Sequence, residues 1–402
     1  KTKVGEAGRS AALPIRTVPL GGRFKAGVFD IEFVGLTHSI PEPHRIAIRT
    51  PAGLVFHTGD WKFDPTPVVG KPHDPEKLKS LGDEGVLALV GDSTNAMRDG
   101  RSASEADVAH TLMKIIADAP RCVAVTLFAS NVARVASIAE AARKSGRTLV
   151  VAGRALHRII EVAKETGYLP ESFTYLDQQR FSDLPRNKTL VLCTGSQGES
   201  RPPVTRIAEE VHPDISLDKG DLVIFSSRTI PGNEKAVSKV QNALARIGVD
   251  LITDTDALVH VTGHPRREEL KDMYAWLRPK LAVPMHGEAR HLREHAKLAR
   301  ACGVSETFTI VDGEILKLWP GQAGVIDEAP VGRLYRDGNL IVPDVEGPVK
   351  ARRKLSFVGI AVVSLVLSRR GDVLGEPGLV LEGIPAADAD GDSMREVVFD
   401  AI

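Results

Sequence analysis

The chain has 402 residues, and its 52 basic and 52 acidic side chains leave no formal net charge. Apolar residues make up 43% of the sequence, which is typical of a folded globular protein. The zero net charge argues neither for nor against a nucleic-acid partner, because a balanced total can include a local basic groove. No apolar run is long enough to cross a bilayer, and the three cysteines form no C-x-x-C pair. We therefore expect a cytoplasmic protein without a membrane segment, a disulfide framework or a thiolate zinc site.

Residues 1–101 predict a β-rich segment. The runs FDIEFVG and HRIAIRT resemble antiparallel strands, and Pro51-Ala52-Gly53 predicts a hairpin turn after the second run. A continuous apolar run, GVLALVGD, then predicts a buried strand that ends at Asp92.

The hydrophobic period changes at Ser102. The sequence S-A-S-E, from Ser102 to Glu105, predicts a capping box that opens a helix. From there to about Thr255, apolar strands alternate with amphipathic helices. That alternation predicts βαβ units around a parallel sheet.

The last third of the chain predicts a return to mixed structure. The strand LAVPM is followed at once by His286 and then by a helix that begins near Glu288. From about Leu334 the pattern predicts a β-rich tail. It includes the apolar run SFVGIAVVSLVL, interpreted as a buried strand or strand pair, and ends on REVVFDAI, interpreted as strand-like.

Polar or histidine residues follow five of the predicted strands. In α/β proteins, ligands and catalytic groups lie just beyond the carboxyl ends of strands, so these residues predict one common cleft. They are Ser130 and Asn131, Ser196, Ser226 and Ser227, His260 and His264, and His286.

Three of these regions offer chemistry, and each also has a structural explanation. His38, Asp60 and His286 have the side chains that zinc or manganese prefers, although each alone is as well explained as a hydrogen-bonded loop residue. The segment from His260 to His264 could direct imidazoles and backbone N–H groups at a phosphate; the alternative is a helix capped by Thr262. Ser130, Asn131 and the other polar strand ends could also hold phosphates, or be ordinary loop residues.

Several enzyme classes are disfavoured. The sequence has no G-x-x-x-x-G-K-[ST] and no G-x-G-x-x-G motif, which argues against a nucleotide triphosphatase and a dinucleotide oxidoreductase. It has no G-x-S-x-G motif in a strand-turn-helix context, which argues against a serine hydrolase. The remaining histidines are interpreted as surface or packing residues: His44, His57, His73, His110, His157, His212, His291 and His295.

The order of the motifs resembles one known family, the bacterial ribonuclease J proteins, which are β-CASP nucleases with a metallo-β-lactamase fold. The motifs are THSIPE, HTGDWKFD, GDSTNA, FASNVARV, CTGSQGE, SSRTIPGNE, HVTGH and PMHGE. The resemblance implies an α/β fold: an αββα metallo-β-lactamase sandwich (residues 1–101 and 263–345) interrupted by a parallel βαβ β-CASP domain (102–262). A linker and the start of a small β-rich C-terminal domain (346–402) would follow.

The resemblance also implies roles for individual residues. His38, Asp60 and His286 match metal ligands, with Asp60 bridging two ions. Asp92 matches the acidic residue that hydrogen-bonds the metal-site histidines, and His264 matches the proton donor to the leaving oxygen. Two segments match substrate-phosphate sites, the second for the 5′ monophosphate: His260, Val261, Thr262, Gly263 and His264; and Ala129, Ser130 and Asn131.

The implied function is 5′-to-3′ exoribonuclease with endonuclease activity, in RNA decay and in rRNA and mRNA maturation. The implied substrate is single-stranded RNA with a 5′ monophosphate. The implied cofactors are two divalent ions, Zn or Mn, besides a structural Ca or Mg. A homodimer or homotetramer with RNA-degradation partners is implied as well. The alternatives are a metallohydrolase of a small ester and a non-catalytic RNA-binding subunit of a nuclease assembly.

One family motif is absent. H-x-H-x-D-H, which would supply four metal ligands, occurs nowhere in the 402 residues. Its family position would lie before Lys1, so we expect a chain truncated at both ends. Three of seven expected ligands remain, which predicts weak metal affinity and no activity for this fragment alone.

Overall fold

A computed structural model describes residues 16–199, 201–344 and 347–401. The chain divides into two compact units. One holds the chain up to Ile310 together with Leu316–Val325, and the other holds Val311–Ile315 and the chain from Ile326 onward.

The described residues form the following elements. The strands are β1 (Arg23–Ala26), β2 (Phe29–Gly35), β3 (His44–Thr50), β4 (Gly53–His57), β5 (Val86–Asp92), β6 (Val123–Thr126), β7 (Thr148–Ala152), β8 (Leu176–Asp177), β9 (Thr189–Cys193), β10 (Leu222–Phe225), β11 (Asp250–Ile252), β12 (Leu281–Met285), β13 (Glu306–Thr307), β14 (Glu314–Lys317), β15 (Gly324–Glu328), β16 (Leu334–Asp337), β17 (Leu340–Pro343), β18 (Ile360–Ser364) and β19 (Gly378–Glu382). The helices are α1 (Pro75–Glu84), α2 (Glu105–Asp118), α3 (Val132–Lys144), α4 (Arg154–Glu165), α5 (Pro203–Ala208), α6 (Glu234–Arg246), α7 (Arg267–Leu277), α8 (Ala289–Ala301), α9 (Pro348–Val358) and α10 (Met394–Asp400).

A seven-stranded mixed sheet lies in the segments that the resemblance assigns to the metallo-β-lactamase sandwich, in the order β1-β2-β3-β4-β5-β12-β13. β1 to β4 pair antiparallel, whereas β4, β5, β12 and β13 pair parallel. Alternate residues of β3 and β4, such as Ala47 and Phe56, are buried in a core with Leu78 of α1, Leu270 of α7 and Leu298 of α8. The period-2 alternation of these strands therefore turns one face of the sheet towards three helices.

The segment that the resemblance assigns to the β-CASP domain forms a six-stranded parallel sheet, called the β-CASP sheet, in the order β11-β10-β6-β9-β7-β8. Helices α2, α3 and α4 pack on the face that carries Val125 and Leu192. Helices α5 and α6 pack on the face that carries Ala124 and Val191. Because helices cover both faces, the strands are continuous apolar runs, and this is why their sequences predict a parallel sheet.

The predicted start of helix α2 is wrong by two residues, and the alternative in which Thr262 caps helix α7 is excluded. Helix α2 is capped by Ser104, not Ser102, and the capping box is completed by Asp107. Ser102 instead donates its backbone N–H to the buried carboxylate of Glu269. Helix α7 begins at Arg267, so Thr262 is not its cap; the Thr262 hydroxyl accepts hydrogen bonds from Asn95 Nδ2 and His264 N.

The second unit differs from the predicted β-rich tail in three places. Residues Ser356–Val358 of the apolar run lie in α9, and the strand that follows, β18, is exposed along its whole length instead of buried. The first six residues of the run REVVFDAI, Arg395 to Asp400, lie in helix α10 and not in a strand. In the part of the chain that the structure describes, no helix combines the length and apolarity that a membrane crossing requires.

Candidate metal centre

Three adjacent parallel strands place the acidic and histidine residues. Asp92 ends β5, and Met285 of β12 pairs with it, so His286 lies directly beyond that pair. Asp60 lies in the loop after β4, which is the other parallel neighbour of β5. His286 has a positive φ of 56°, a conformation that a non-glycine residue adopts at some energetic cost, and one often found at functional sites.

Two further histidines reach this edge from loops. The ring of His38 donates from Nδ1 to the carbonyl oxygen of Gly263 at 2.7 Å. A side chain at position 263 would collide with that ring, because its Cβ would lie 2.3 Å from His38 Nδ1. Glycine at 263 thus allows the loop before His264 to close against the loop that carries His38.

The residues converge on one small volume. Donor atoms of Asp60, Asp92, His264 and His286 all lie within 4.8 Å of one another. The closest contacts are 2.7 Å between His264 Nδ1 and Asp92 Oδ2 and 3.2 Å between His286 Nδ1 and Asp60 Oδ1. His38 Nε2 lies 3.9 Å from Asp60 Oδ2. The structure therefore brings two of the three assigned metal ligands, Asp60 and His286, together with Asp92 and His264, while His38 lies beside this group and approaches Asp60.

The site keeps the carboxylate of Asp92 ionised. Burial alone would raise the pKa of Asp92, but hydrogen bonds from His264, His286 and the backbone N–H of Thr94 outweigh burial and hold that pKa well below its usual range. The hydrogen bond to Asp92 and the charge of Asp60 raise the pKa of His286. Negative charge facing imidazoles attracts a cation, which would displace the proton of His286.

Burial lowers the pKa of His38, which favours its neutral form. Because Gly263 O can only accept, the proton of the neutral ring lies on Nδ1, and Nε2 offers its lone pair on the side of Asp60. A neutral imidazole whose other nitrogen donates to a carbonyl is the usual arrangement of a metal-binding histidine.

Residues beneath the site hold these groups, and the sequence analysis did not single them out. The hydroxyl of Thr94 lies 3.1 Å from both Nδ1 and the carbonyl oxygen of His286. Ser93 Oγ contacts Nδ1 of the fully buried His295 at 2.8 Å, and Tyr274 contacts its Nε2 at 2.8 Å. Thr94 lies inside the quoted motif GDSTNA, which was the available signal; His295 was interpreted as a surface or packing residue, and it packs here.

Arg45, another buried residue that the sequence analysis passed over, lies near the carboxylates. Burial lowers the pKa of its guanidinium to about 10, while Asp60 and Asp92 oppose that change. Its Nη1 donates to the carbonyl oxygen of His44. Arg45 thus places a fixed positive charge beside the two acidic groups.

Among the residues assigned to phosphate binding, some side chains have structural roles and others are exposed or half-buried. Val261 is buried in the β-CASP core, and the side chain of Asn131 caps α3 by accepting from Arg134 N, so these side chains have structural roles. Ser130 is exposed, and Ala129 is half-buried. His260 is half-buried, and burial together with Arg134 and Arg228 lowers its pKa to about 3, so it is neutral at physiological pH.

The donor set fits a divalent metal of the zinc or manganese class. Two carboxylates and two or three imidazoles are oxygen and nitrogen ligands of the kind these ions select, and no thiolate is near. His38, Asp60 and His286 would hold such an ion, with Asp92 orienting the histidines.

Comparison with known proteins places this site in a family. Residues 120–244 match the model of the ribonuclease J β-CASP domain, and residues 248–310 match the Zn-dependent metallo-hydrolase RNA specificity domain. The ribonuclease J of Sinorhizobium meliloti is 47% identical over 97% of this chain, which spans 69% of that protein. The chain belongs to the ribonuclease J family.

Other relatives agree on the family. Ribonuclease J of Corynebacterium glutamicum is 41% identical over 89% of this chain and 50% of its own length. Ribonuclease J 1 of Streptococcus pyogenes is 38% identical over 92% of this chain and 68% of its own length. A crystal structure of a protein of unknown function from Enterococcus faecalis V583 matches with a TM-score of 0.53 and 17% identity, over 78% of this chain and 68% of that one, and shows the fold alone.

These comparisons confirm the family and the α/β fold class that the motif order predicted. Membership in the ribonuclease J family supports a metal-dependent ribonuclease, and the metallo-hydrolase domain supports a divalent metal. The RNA specificity domain supports RNA as the substrate.

Proposed function

We propose that this chain is the catalytic part of a nuclease that degrades single-stranded RNA from its 5′ monophosphate end and also cuts internally. The observation that carries the proposal is the convergence of Asp60, Asp92, His264 and His286 in a chain of the ribonuclease J family. RNA decay with rRNA and mRNA maturation in the cytoplasm is the setting that fits this activity. Assembly as a homodimer or homotetramer with degradation partners belongs to the same proposal.

We further place the β-CASP domain at residues 102–262, within metallo-β-lactamase segments 1–101 and 263–345, followed by a linker and C-terminal segment over 346–402. Residues 1–15, 200, 345–346 and 402 lie outside the described residues.

In this proposal His38, Asp60 and His286 hold the metal, with Asp60 facing both imidazoles. Two ions, Zn or Mn, would supply Lewis acidity for phosphodiester hydrolysis when bound. The acidic site on this chain would hold them through charged oxygen and neutral nitrogen donors. A structural Ca or Mg elsewhere in the protein is part of the same expectation.

His264 is the proposed proton donor. Its Nδ1 donates to Asp92, which fixes the ring, and Nε2 would carry the proton for the leaving oxygen. Water adds to phosphorus, the bond from phosphorus to the 3′ oxygen breaks, and that oxygen takes the proton. The shortened RNA then carries a new 5′ phosphate, as repeated 5′-to-3′ cleavage requires.

The 5′ end would be selected by the loop after β6 and the segment before α7. Ala129 and Ser130 offer backbone and hydroxyl donors, and Asn131 fixes their loop by capping α3. His260, Val261, Thr262, Gly263 and His264 form the second phosphate segment, in which Val261 contributes only its backbone. A terminal phosphate held there admits only the adjacent linkage to the metal centre.

The experiment compares two forms of the protein. The 402 residues contain no H-x-H-x-D-H motif, so we propose that they bind metal weakly and turn over little alone. A chimera would join the corresponding segment of the Sinorhizobium relative ahead of Lys1. Both forms are incubated with millimolar Mn²⁺ and single-stranded RNA that carries a 5′ monophosphate or a 5′ triphosphate.

We expect the chimera to release mononucleotides mainly from the monophosphorylated RNA, and His286→Ala in it to lower turnover at least ~100-fold. His110→Ala removes an exposed histidine of α2 and serves as the matched control. Hydrolysis of small esters without RNA cleavage, RNA binding without any cleavage, or normal turnover by His286→Ala would each overturn the proposal.

A further inference from the structure

A cavity separate from the metal centre opens at the carboxyl edge of the β-CASP sheet, between the ends of β7 and β9. Its volume is about 920 Å³, and its floor includes Gly153 after β7 and Thr194 after β9. None of the residues assigned to the metal centre or to the 5′ phosphate lines it. We call it the β7–β9 crevice.

The topology of the sheet explains why a crevice forms there. β7 and β9 are parallel neighbours, with Ala152 paired to Cys193. The chain leaves β7 for α4 on one face of the sheet and leaves β9 for α5 on the opposite face. Adjacent strands whose connections diverge in this way form the switch point at which open parallel sheets bind ligands.

Glycine at 153 is required by the geometry of this crevice. Its φ is 111°, and a Cβ there would lie 3.1 Å from Thr194 Oγ1 and 3.2 Å from Pro203 Cγ. The two loops can therefore approach only with a bare backbone at this point. Helix α4 starts at the next residue and has no side chain capping its first N–H groups.

The lining is strongly cationic. It contains four arginines and two histidines, against the single carboxylate of Asp177: Arg154, Arg158, Arg201, Arg206, His157 and His212. Arg154 and Arg201 are exposed, and neither has an ion-pair partner within residues 16–199, 201–344 and 347–401. The positive charge of these guanidinium groups would hold an anion bound among them.

His212 adds a directed donor. Its Nδ1 accepts the backbone N–H groups of Asp214 and Ile215, at 3.2 and 3.1 Å, so the proton of the neutral ring is on Nε2. The donors around the crevice are therefore the planar guanidinium forks, an imidazole N–H and the open first turn of α4. This is the donor set that phosphate oxygens match best.

We propose that the β7–β9 crevice is a phosphate-binding site for nucleotides, separate from the metal centre. Its volume suits one nucleotide unit with its phosphates. That unit could be a free nucleotide or part of an RNA strand, and both share the chemistry that the arginines recognise. The inference rests on the lining and the topology, and does not depend on the proposed nuclease activity.

The test measures binding with metal removed by EDTA, so that cleavage plays no part. The probes are inorganic pyrophosphate and ADP, titrated calorimetrically. They also include fluorescent RNAs of about five and about 30 nucleotides, followed by anisotropy. The variant Arg154→Glu/Arg201→Glu reverses two exposed charges of the crevice. The control Arg246→Glu/Arg300→Glu makes the same change at exposed arginines of α6 and α8.

We expect the crevice variant to bind at least about tenfold more weakly than the control variant, because charge-assisted contacts to phosphate are lost. Weakened ADP and pyrophosphate binding identifies a free nucleotide as the source. Weakened binding of the long RNA alone identifies the strand. Equal binding of every probe by the two variants would overturn the proposal. Absence of RNA cleavage in other assays would leave it intact.

Discussion

Asp92 Oδ2 accepts a 2.7 Å hydrogen bond from His264 Nδ1, across 172 positions of sequence. The other oxygen of the same carboxylate lies 3.5 Å from His286 Nδ1. Asp92 thus ties the end of β5 to the loop that returns from the β-CASP sheet and to the loop after β12. One fully buried carboxylate orients two imidazoles of the site, and its own ionisation depends on both of them.

Asp92→Asn should lower RNA turnover by about 10- to 100-fold while preserving the fold, because the amide keeps the shape of the carboxylate but loses the charge that orients His264. The measurement is turnover by the chimera, with Asp118→Asn at the exposed end of α2 as control. If Asp92 acts through His264, Asp92→Asn should lower RNA turnover by a much smaller factor in a His264→Ala background. Equal losses in both backgrounds would show that it does not.

In the chimera, Thr94→Val should weaken Mn²⁺ binding by about tenfold, because the hydroxyl that supports both the ring and the carbonyl oxygen of His286 is lost. The isosteric change leaves the volume filled. Thr111→Val removes a hydroxyl that donates to Asp107 O on α2 and controls for the chemistry of the substitution. Calorimetric titration decides the matter, and an unchanged dissociation constant would mean that Thr94 does not position His286.

The free energy of unfolding should decrease as the pH drops, and His295 should be the residue responsible. Burial lowers its pKa from 6.5 to about 4 in the folded protein. Between these values the unfolded chain binds a proton that the folded protein excludes, so stability is retained above pH 6.5, falls as the pH drops, and changes no further below about pH 4. Between about pH 7 and pH 5 this contribution amounts to about 2 kcal/mol.

Urea denaturation followed by the fluorescence of the buried Trp61 measures that slope. His295→Gln should be less stable at neutral pH, since the bridge from Ser93 to Tyr274 is altered, and should lose the pH-dependent part. The exposed-site variant His110→Ala should keep the wild-type slope. An equal slope in His295→Gln would assign the pH dependence to other groups.

Lys62→Met should destabilise the protein by about 3–5 kcal/mol, because it leaves the buried Asp64 carboxylate without its cation. The two side chains are each 1% exposed, and Lys62 Nζ lies 2.9 Å from Asp64 Oδ2. Lys79→Met removes an exposed pair with Glu76 and should cost less than about 1 kcal/mol. Similar losses from the two variants, measured by urea denaturation, would contradict the role given to the buried pair.

Much of the fold can be predicted from local sequence patterns, and the predictions that are wrong have physical causes. The continuous apolar strands and amphipathic helices of the β-CASP sheet were predictable because helices cover both faces. The helix cap at Ser104 could not be predicted, because Ser102 and Ser104 both suit a cap. The choice depends on the distant carboxylate of Glu269, which accepts a hydrogen bond from the backbone N–H of Ser102. Helix α9 and strand β18 in the tail were not predictable either, because neither has a buried residue, whereas an apolar run predicts burial.

The site likewise contains residues that the sequence predicts and supporting residues that it does not. His38, Asp60 and His286 are visible in sequence because each follows a strand and carries ligand chemistry. The supports cannot be found without coordinates: Thr94 reaches His286 across 192 positions, and His295 reaches Ser93 across 202. Such contacts arise from the parallel pairing of β5 with β12 and leave no local pattern.

The most direct measurement is anomalous diffraction from crystals of the chimera grown with Mn²⁺, recorded at the manganese absorption edge. The proposed site predicts an anomalous peak with Asp60 and His286 within about 2.0–2.3 Å, and its loss from crystals of Asp60→Asn/His286→Ala. A manganese ion bound elsewhere on the chain, with no density among Asp60, Asp92, His264 and His286, would contradict the metal centre and the ribonuclease mechanism built on it.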